Sequence, residues 1–472
     1  MSADWPIVRL GDYCLKVGSG ATPRGGASVY LDEGEICLIR SQNIYNDGFK
    51  SNGLVYITED SAEKLKNVVI EKNDVLLNIT GDSVARVCLA KEEYLPARVN
   101  QHVSIIRPDP KEFDARYLRY LLTSPAMQKF LLTIAAVGAT RNALTKNMIE
   151  TLEVSKPPLV IQEAIAAHLE TLDDKIELNR QANQTLENIA QAIFKSWFVD
   201  FDPTRAKIVA IQNGQDPEHA AMAAISGKTI EALNQLSSEQ QKSLKSTAAL
   251  FPDTLVDSEL GKIPDGWDVK PLSYYLDVNH GYAFKGEYFS DKPTDNILLT
   301  PGNFKVGGGF KFDKLKYYDG PIPERYILDR NDLLVTMTDL SKQADTLGFP
   351  ALVSEVGNFT FLHNQRLGKV VSKSEDLKKY FLYFLFKSHR YRGEIVGGAT
   401  GTTVKHTAPK KILAFTHPFQ GELEDVFDNF SCSIYSNIES NMNNNETLIQ
   451  LRDTLLPKLL SGELDIDSEE PT

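Results

Sequence analysis

One amphipathic helical pattern occurs twice in this chain, and it restricts the fold more than any other feature of the sequence. In residues 162–197, apolar and small side chains recur at alternating intervals of four and three residues, as in the a/d seam of a coiled coil. The seam positions are Ile165, Leu169, Leu172, Ile176, Asn179, Asn183, Leu186, Ala190, Ile193 and Trp197. Adding 262 to each number gives a second seam, at Phe427, Ser431, Ile434, Ile438, Asn441, Asn445, Leu448, Arg452, Leu455 and Leu459.

The two helical stretches also share polar residues at the same seam positions. Asn179 and Asn183 in the first stretch correspond to Asn441 and Asn445 in the second. Two unrelated amphipathic helices are the alternative, but they would seldom place paired Asn residues in the same register. Since a buried Asn costs stability and fixes the register of a coiled coil, we predict that one duplicated helix pairs with its own copy through this seam.

The sequence before each helical stretch repeats as well. ILLTPGNF at 297–304 corresponds to ICLIRSQNI at 36–44, and NDLLVTMTDLS at 331–341 corresponds to NDVLLNITGDS at 73–83. The β-branched and turn-forming residues of these blocks predict short strands. The order domain, helix, domain, helix predicts an α+β fold, in which two similar strand-rich domains are joined by two long antiparallel coiled-coil helices in a pseudo-two-fold internal repeat. The antiparallel arrangement is favoured because it needs only a local connection after the first helix.

The predicted boundaries follow from this repeat and from the composition of the segments between its parts. They are a first strand-rich domain at 1–158, the first long helix at 159–202, a linker with short helices at 203–264, a second strand-rich domain at 265–420, the second long helix at 421–462 and an acidic tail at 463–472. Pro203 is expected to end the first long helix, because proline lacks the N–H that a helix interior needs.

The net charge of −12 is unevenly distributed. Residues 265–420 carry a net charge of +4 and residues 421–472 carry −10, so the globular blocks are less acidic than the chain as a whole. Binding to nucleic acid therefore stays open, through local basic patches or basic partner subunits. No apolar run is long enough for a membrane span, and the four cysteines lie far apart, which predicts a cytoplasmic chain with reduced thiols and no metal site.

The motifs of common enzyme active sites are missing from the sequence. It contains no Walker loop, no H-E-x-x-H motif and no G-x-S-x-G motif. Pro252–Asp253 followed by Glu259 and Lys262 loosely resembles a nuclease metal motif, but the Glu-to-Lys spacing is wrong and the segment lies in the predicted linker. We therefore predict a chain without catalytic residues of its own.

Polar side chains in equivalent loops of the two blocks are candidates for contacts with DNA bases. Arg forms paired hydrogen bonds with guanine, and Asn or Gln forms them with adenine, in the major groove. The candidates are Arg40, Gln42, Asn43, Arg86, Arg98, Gln101, Arg141, Asn142 and Lys146 in the first block, and Asn303, Lys342, Gln343, Gln365, Arg366, Lys405 and His406 in the second. A solvated or turn-capping role is the alternative for any one of them. Asn43 with Asn303, and Asn100 with Asn364, recur at equivalent positions and are candidates for structural turn residues.

An aromatic cluster marks the end of the first helical stretch. It consists of Phe194, Trp197, Phe198 and Phe201. A large apolar cluster at a helix end indicates either core packing or an interface with another protein. Both alternatives stay open, and the second predicts that this cluster docks a partner subunit.

Three stretches give the chain a resemblance to a known family. They are TLENIAQAIFKSWFVDFDP at 185–203, FPDTLVDSELGKIPDGW at 251–267 and LRDTLLPKLLSGELDI at 451–466. Together with the duplicated architecture, they resemble the specificity subunits of Type I restriction-modification systems. The resemblance implies two target-recognition domains that each read one half of a split DNA sequence, with the two long helices setting the distance between the halves.

The same resemblance implies partners and cofactors outside this chain. In this family, two modification subunits bind S-adenosylmethionine and methylate adenine, and restriction subunits use ATP and Mg for translocation and cleavage of DNA. The specificity subunit scaffolds both and performs no chemistry. Because the recognition domains vary within the family, the resemblance assigns no base contact to a numbered residue. The competing hypothesis is a coiled-coil adaptor that binds proteins without contacting DNA.

Overall fold

The computed structural model describes residues 4–136, 142–312, 314–341, 343–354, 357–374 and 377–464. The chain forms two compact units, unit 1 from Met1–Leu178 with Asn444–Thr472, and unit 2 from Asn179–Asn443. Each unit combines sheets and short helices with one half of each of two long helices. Because the units divide both long helices, they do not test the domain boundaries predicted from the sequence, which stay a prediction.

Most helices and strands are short, and two helices are far longer than the rest. The helices are α1 (Glu59–Glu63), α2 (Ala115–Thr123), α3 (Pro125–Ala136), α4 (Lys146–Glu150), α5 (Leu159–Phe198), α6 (Asp202–Gln212), α7 (Pro217–Ser226), α8 (Ile230–Leu233), α9 (Ser238–Ala249), α10 (Lys379–Lys387), α11 (His389–Gly397), α12 (Pro409–Leu413) and α13 (Glu422–Leu460). The strands are β1 (Ile7–Arg9), β2 (Cys14–Ser19), β3 (Ile36–Ile39), β4 (Ile44–Tyr45), β5 (Gly48–Phe49), β6 (Val55–Ile57), β7 (Val75–Asn78), β8 (Val87–Leu89), β9 (Ala97–Val99), β10 (Val103–Pro108), β11 (Glu153–Ser155), β12 (Leu255–Ser258), β13 (Gly261–Pro264), β14 (Asp268–Pro271), β15 (Leu276–His280), β16 (Phe289–Ser290), β17 (Asn296–Leu299), β18 (Tyr317–Tyr318), β19 (Ile327–Leu328), β20 (Leu333–Thr336), β21 (Thr338–Asp339), β22 (Pro350–Leu352), β23 (Thr360–His363), β24 (Leu367–Ser372), β25 (Lys405–His406) and β26 (Thr416–Phe419).

Unit 1 is built on a four-stranded antiparallel sheet in the order β2–β10–β7–β8. A second sheet places β3 between β6 and β9, and β3 runs parallel to β9. β1 pairs with β11, which joins the two ends of the strand-rich region. The core on one side of the larger sheet includes α2 and the first turns of α5, where Tyr117 and Ile165 are almost fully buried.

Unit 2 repeats this topology. Its four-stranded sheet has the order β15–β24–β20–β22, β17 runs parallel to β23, and β14 pairs with β26. Leu10 and Leu272, which are 262 residues apart, are both fully buried. Their backbone N–H groups each donate a hydrogen bond of 2.9 Å, to the carbonyls of Leu152 and Phe415 respectively. The internal repeat predicted from the sequence is confirmed.

The long helices α5 and α13 pack antiparallel in both units. In unit 1, Leu169 in the first part of α5 shares a core with Leu459 at the end of α13. In unit 2, Phe194 near the end of α5 packs on Phe427 near the start of α13, with ring centroids 5.6 Å apart. The predicted fold class is therefore confirmed. In the part of the chain that the structure describes, no helix combines the length and apolarity needed to cross a membrane.

An ion-pair network explains the charged residue in the second seam. Arg452 of α13 donates to Oδ1 of Asp173 on α5 at 2.8 Å, and Arg119 of α2 donates to Oδ2 of the same carboxylate at 2.7 Å. Burial alone raises the pKa of Asp173, but Arg119 and the hydrogen bonds from Arg452 and Tyr120 bring it below its ordinary value. The arginine at this seam position therefore fixes α13 to α5 and, through Asp173, to α2.

The segment after α5 differs from the sequence prediction in one respect. Pro203 does not end the first long helix, because α5 already ends at Phe198 and Pro203 lies in the first turn of α6. A proline is well tolerated there, since the first turn of a helix has no partner for the missing N–H. The short helices expected in the linker are present, and α7, α8 and α9 enclose a small core that includes Met222 and Leu233.

Candidate functional site

A polar cleft of about 600 Å³ opens in unit 1 beside the end of β7. It is lined by Ser41, Gln42, Tyr45, Thr80, Gly81, Asp82, Ser83, Arg86, His102, Asn142 and Ala143. Three candidates from the sequence, Gln42, Arg86 and Asn142, thus meet in one place although they are far apart in the chain. The fold of unit 1 supplies this arrangement by bringing the turn after β3, the β7–β8 turn and the residues before α4 together.

A buried amide and two residues with positive φ hold the turns beside the cleft in place. The side chain of Asn78 is fully buried and donates from Nδ2 to the carbonyl of Ser41 at 2.9 Å, which fastens the turn after β3 to the end of β7. Gly81 and Ala85 have φ values of +77° and +72°. These left-handed residues allow the chain to reverse sharply between β7 and β8, and the reversal carries Asp82 and Arg86 on one turn.

Arg86 is held in the cleft by an aromatic ring. Its guanidinium carbon lies 4.6 Å from the centroid of the Tyr45 ring. This cation–π contact restrains the arginine but does not use its N–H donors. Within the described residues, no side-chain hydrogen bond or ion pair engages Arg86, Asp82 or Asn142. Among the residues that the structure describes, the cleft therefore presents a cation, an anion and a side-chain amide that make no side-chain hydrogen bond or ion pair.

His102 links another sequence candidate to the cleft. The Nε2 atom of Gln101, an amide donor, lies 3.0 Å from Nε2 of His102, and Nδ1 of the same ring lies 2.6 Å from Oγ1 of Thr80. With the proton on Nδ1, the ring accepts from Gln101 and donates to Thr80. Gln101 is therefore in contact with a residue of the cleft lining, and its own side chain is exposed.

Asn43 and Asn303 shape equivalent turns inside the two units. Asn43 is fully buried, accepts from the backbone N–H of Arg40 at 3.1 Å and donates to the carbonyl of Lys50 at 2.9 Å. Asn303 is 1% exposed and accepts from the backbone N–H of Thr300 at 3.0 Å. Since both amides are engaged within the protein, the structural alternative is favoured for them over a contact with DNA.

Asn100 and Asn364 form a second recurring turn. The Oδ1 atom of Asn100 accepts from the backbone N–H of His102 at 3.1 Å, and that of Asn364 accepts from the backbone N–H of Arg366 at 2.9 Å. The structural alternative is favoured here as well. Arg366 and its neighbour Gln365 are exposed on the turn that Asn364 shapes, so both remain accessible candidates.

The other described candidates of unit 1, namely Arg40, Arg98 and Lys146, are not part of the cleft lining. Arg40 donates from Nη2 to the carbonyl of Gly53 at 2.5 Å, and Arg98 donates from Nη1 to the carbonyl of Ala97 at 3.0 Å. Lys146 is exposed and pairs with Glu150 across one turn of α4 at 3.4 Å. Each of these cations has a partner within the protein. Arg141 lies outside the described residues.

Two candidates of unit 2, Lys405 and His406, lie on β25 beside β21. β21 pairs with β25, which places Lys405 and His406 next to Thr338 and Asp339. Nδ1 of His406 lies 3.1 Å from Oγ1 of Thr338. Burial raises the pKa of Asp339, but hydrogen bonds from Ser341 and Thr346 hold it below its ordinary value. Asp339 therefore stays ionised and organises the loop after β21. Gln343 is exposed in that loop, and Lys342 lies outside the described residues.

The aromatic cluster at the end of α5 belongs to the core of unit 2, which corrects its assignment as a partner-binding surface. Phe194, Trp197, Phe198 and Phe201 are between 3% and 8% exposed. Phe198, for example, lies with its ring centroid 4.9 Å from that of Phe381 and 5.6 Å from that of Phe427. The rings bury their apolar surface against α10 and α13, so they are not available to a partner subunit.

The seam asparagines contact the opposite long helix. In unit 2, Asn441 donates from Nδ2 to Oδ1 of Asn183 at 2.8 Å. Asn445 in unit 1 donates to the carbonyl of Ile176 at 3.3 Å. Asn179 is 4% exposed. These amides occupy the seam at the positions that the 262-residue repeat predicts.

Some residues of the cleft were not among the sequence candidates. Tyr45, Asp82 and His102 line it, and only the fold brings them to Arg86 and Asn142. A signal for Asp82 exists in the sequence, because an apolar strand followed by Thr-Gly-Asp-Ser is typical of a tight turn with exposed polar side chains. Nothing in the local sequence marks Tyr45 as the ring under Arg86.

Comparisons with known proteins agree with this architecture. Residues 2–188 match the family model described as the Type I restriction modification DNA specificity domain. The chain is 29% identical to the Type I restriction enzyme HindI specificity subunit of Haemophilus influenzae, over 98% of this chain and 100% of that protein. It is 25% identical to the Type I restriction enzyme MjaIX specificity subunit of Methanocaldococcus jannaschii, over 98% of this chain and 94% of that protein.

A solved structure shows the same fold. The S subunit of a Type-I restriction-modification system from M. genitalium has a TM-score of 0.51 and 13% sequence identity to this chain, over 97% of this chain and 96% of that one. Together with the two relatives and the family model, it confirms the resemblance to Type I specificity subunits that the three sequence stretches indicate.

Proposed function

We propose that this chain, which resembles the specificity subunits of Type I restriction-modification systems over its whole length, binds DNA in a sequence-specific manner and reads a split target. Unit 1 and unit 2 each read one half of that target. The proposal rests on one observation above all, namely a fold that occurs twice with different side chains at equivalent loops. A repeated scaffold with divergent loop residues suits two readers of two different sequences.

The cleft of unit 1 supplies groups suited to this task. Major-groove readout needs hydrogen-bond donors and acceptors that are not already paired within the protein. Arg86, Asp82 and Asn142 meet this condition, because no hydrogen bond or ion pair engages their side chains in the described residues. The acidity of the whole chain does not oppose DNA binding, since much of it lies in the segment 421–472 and partner subunits are expected to contribute basic surface.

The remaining parts of the proposal concern the complex. The chain scaffolds two modification subunits and the restriction subunits, and it has no catalytic residues of its own. S-adenosylmethionine, ATP and Mg are bound by those partners in the cytoplasm. Since the aromatic cluster at the end of α5 is buried, we expect the partners to dock on exposed faces of the long helices instead.

A selection experiment tests the proposed function. The full chain is purified with its modification subunits, mixed with random-sequence duplex DNA, and the bound fraction is sequenced. We expect enrichment of two short sequences separated by a spacer of fixed length, and no such enrichment with the modification subunits alone. A complex that forms but enriches no sequence would support the competing adaptor and would overturn the proposal.

A further inference from the structure

We propose that Arg86, held over Tyr45, donates to guanine and that Asp82 accepts from the paired cytosine, so that one G·C pair is specified in the half-site bound by unit 1. This inference rests on the proposed DNA-binding function and assigns residues to it. Arg86 and Asp82 lie on the same turn between β7 and β8, and both line the cleft. A G·C pair presents the O6 and N7 acceptors of guanine beside the N4 donor of cytosine in the major groove.

The contact with Tyr45 preorganises the Arg86 side chain for binding to a base. The ring of Tyr45 lies 4.6 Å from its guanidinium carbon, so part of the rotamer entropy is already lost before DNA binds. The contact uses the face of the guanidinium group and leaves the N–H donors at its edge for the two acceptors of guanine. An arginine that only contacts phosphate needs no such restraint, because phosphate contacts tolerate many orientations.

The negative charge of Asp82 favours the binding of base edges in the cleft over binding of the DNA backbone. A carboxylate repels phosphate, and within the described residues no cation pairs with Asp82 to cancel this repulsion. Among base edges, a carboxylate suits the amino groups, and its usual partner is N4 of cytosine. A cation and an anion four positions apart on one turn therefore complement the two sides of a G·C pair.

The equivalent positions of unit 2 carry different groups. The turn asparagines Asn43 and Asn303 are 260 residues apart, and the same offset relates Tyr45 to Lys305. Ala85 and Ala344 both have positive φ, +72° and +57°, and their offset of 259 relates Arg86 to Asp345.

Unit 2 therefore has Lys305 and Asp345 at the positions of Tyr45 and Arg86. An arginine from another element, Arg392, does stack on Phe349 nearby, but it donates to the carbonyl of Ala344 at 2.9 Å. The proposal consequently concerns one half-site only, and changes at Arg86 should leave the other half-site untouched.

The experiment uses the full chain with its modification subunits and measures adenine methylation on a library of random-sequence duplexes. For the wild type we expect a split motif with one invariant G·C pair in one half. Arg86→Gln should lower the preference for guanine at that pair by about 5- to 150-fold, the range for a bidentate contact, with the other half unchanged. Arg86→Lys keeps the charge but loses the fork of donors, so it should relax the same pair.

Tyr45 acts as a positioning residue, and its variants test that role. Tyr45→Phe keeps the ring and should keep the wild-type motif, whereas Tyr45→Leu should relax the same G·C pair as Arg86→Gln. Arg9→Gln removes the same charge from an exposed position on β1, so it controls for the loss of a positive charge and should leave the motif unchanged.

Two outcomes would overturn the inference while leaving the proposed function intact. One is a wild-type motif that Arg86→Gln and Arg86→Lys both preserve. The other is a uniform loss of methylation across all sequences, which would make Arg86 a phosphate contact. If the wild-type complex methylated no defined motif, the proposed function itself would fail. Thermal unfolding of each variant separates these results from a loss of folding.

Discussion

The side-chain amide of Asn183 donates a hydrogen bond of 3.2 Å to the backbone carbonyl of Ile438, across the seam between α5 and α13 in unit 2. In unit 1, Asn445 donates to the carbonyl of Ile176 at 3.3 Å. Adding 262 to 183 and to 176 gives 445 and 438, so the second contact is the first with the two helices exchanged. Antiparallel pairing of a duplicated helix requires this exchange.

The first prediction concerns the asparagine pair of unit 2. Asn183→Leu removes the acceptor of the 2.8 Å hydrogen bond from Asn441, and leaves a partly buried donor without a partner. Such a change costs on the order of 1 kcal/mol. The double variant Asn183→Leu with Asn441→Leu should be more stable than the single variant, because an apolar seam has no unpaired amide. Thermal unfolding checks this order, and strictly additive effects of the two substitutions would contradict the contact.

The second prediction concerns Phe198 in the aromatic core. Phe198→Asp places a charge among Phe381, Phe427 and Trp267, whose ring centroids lie 4.9 to 6.1 Å away. We expect unit 2 to lose about 3 kcal/mol or more, visible as a large drop in Tm or as insoluble protein.

A matched control for this change lies on α13. Phe430→Asp introduces the same charge at a phenylalanine that is 39% exposed, and it should leave the Tm nearly unchanged. If the Phe198→Asp protein unfolded like the wild type but no longer bound the modification subunits, Phe198 would belong to an interface with them, and the prediction would be wrong.

The third prediction is that acid weakens unit 2 through two buried histidines. Burial lowers the pKa of His363 and of His417 to about 4. The Nδ1–H group of His417 donates to the carbonyl of Pro418 at 2.8 Å, so Nε2 is the acceptor for the hydroxyl of Tyr275. Protonation of the ring would remove that acceptor and bury a charge.

The sign of the pH dependence follows from these lowered pKa values. In an unfolded chain a histidine titrates near pH ~6.5, so the unfolded state binds more protons than the folded state between about pH 6.5 and 4. The stabilisation is present above pH ~6.5 and is lost as the pH falls, by about 2 kcal/mol per histidine at pH 5. The double variant His363→Gln with His417→Gln should show a smaller fall in Tm from pH 7 to pH 5, whereas His389→Gln, at an exposed position, should behave like the wild type. Equal falls in all three proteins would contradict the prediction.

The sequence predicts the long helices well and the strands in part. A seam that extends over many turns identifies α5 and α13, because accident seldom sustains a 4-3 spacing over such a length. Strands of three residues, such as Val87–Leu89 and Ala97–Val99, are too short to show a period, and their partners decide their conformation.

Gly20 in unit 1 and Gly281 in unit 2 share a structural constraint that the sequence alone does not reveal. A Cβ on either would lie within 2.2 Å of a carbonyl oxygen, that of Val99 or of Asn364.

The candidate site is predictable only in its residue types. Gln42, Arg86 and Asn142 were candidates because of their side chains, but their meeting in one cleft depends on strand order, which the loops do not encode. The aromatic cluster at the end of α5 shows the opposite difficulty. A buried ring and an interface ring have the same sequence pattern, so only the packing on α10 and α13 distinguishes them.

The fourth prediction tests whether the long helices set the distance between half-sites. Seven residues inserted after Ala182 in α5 and seven after Asn444 in α13 preserve the seam spacing and lengthen both helices by about 10 Å. The preferred spacer should grow by about three base pairs, with both half-site sequences unchanged. Insertion in α5 alone should instead break the Asn183–Ile438 contact and lower the Tm. Methylation of a library in which only the spacer varies measures the effect, and an active double insertion that keeps the original spacer would contradict the prediction.

The most direct test of the central claim is the methylated motif of a chain whose residues 1–155 are replaced by the matching block of a related specificity subunit. Sequencing of methylated adenines in cells that also express the modification subunits gives the motif before and after the exchange. If each unit reads its own half-site, one half of the motif changes to that of the related protein, while the other half stays as it was. A change in both halves, or in neither, would contradict the account.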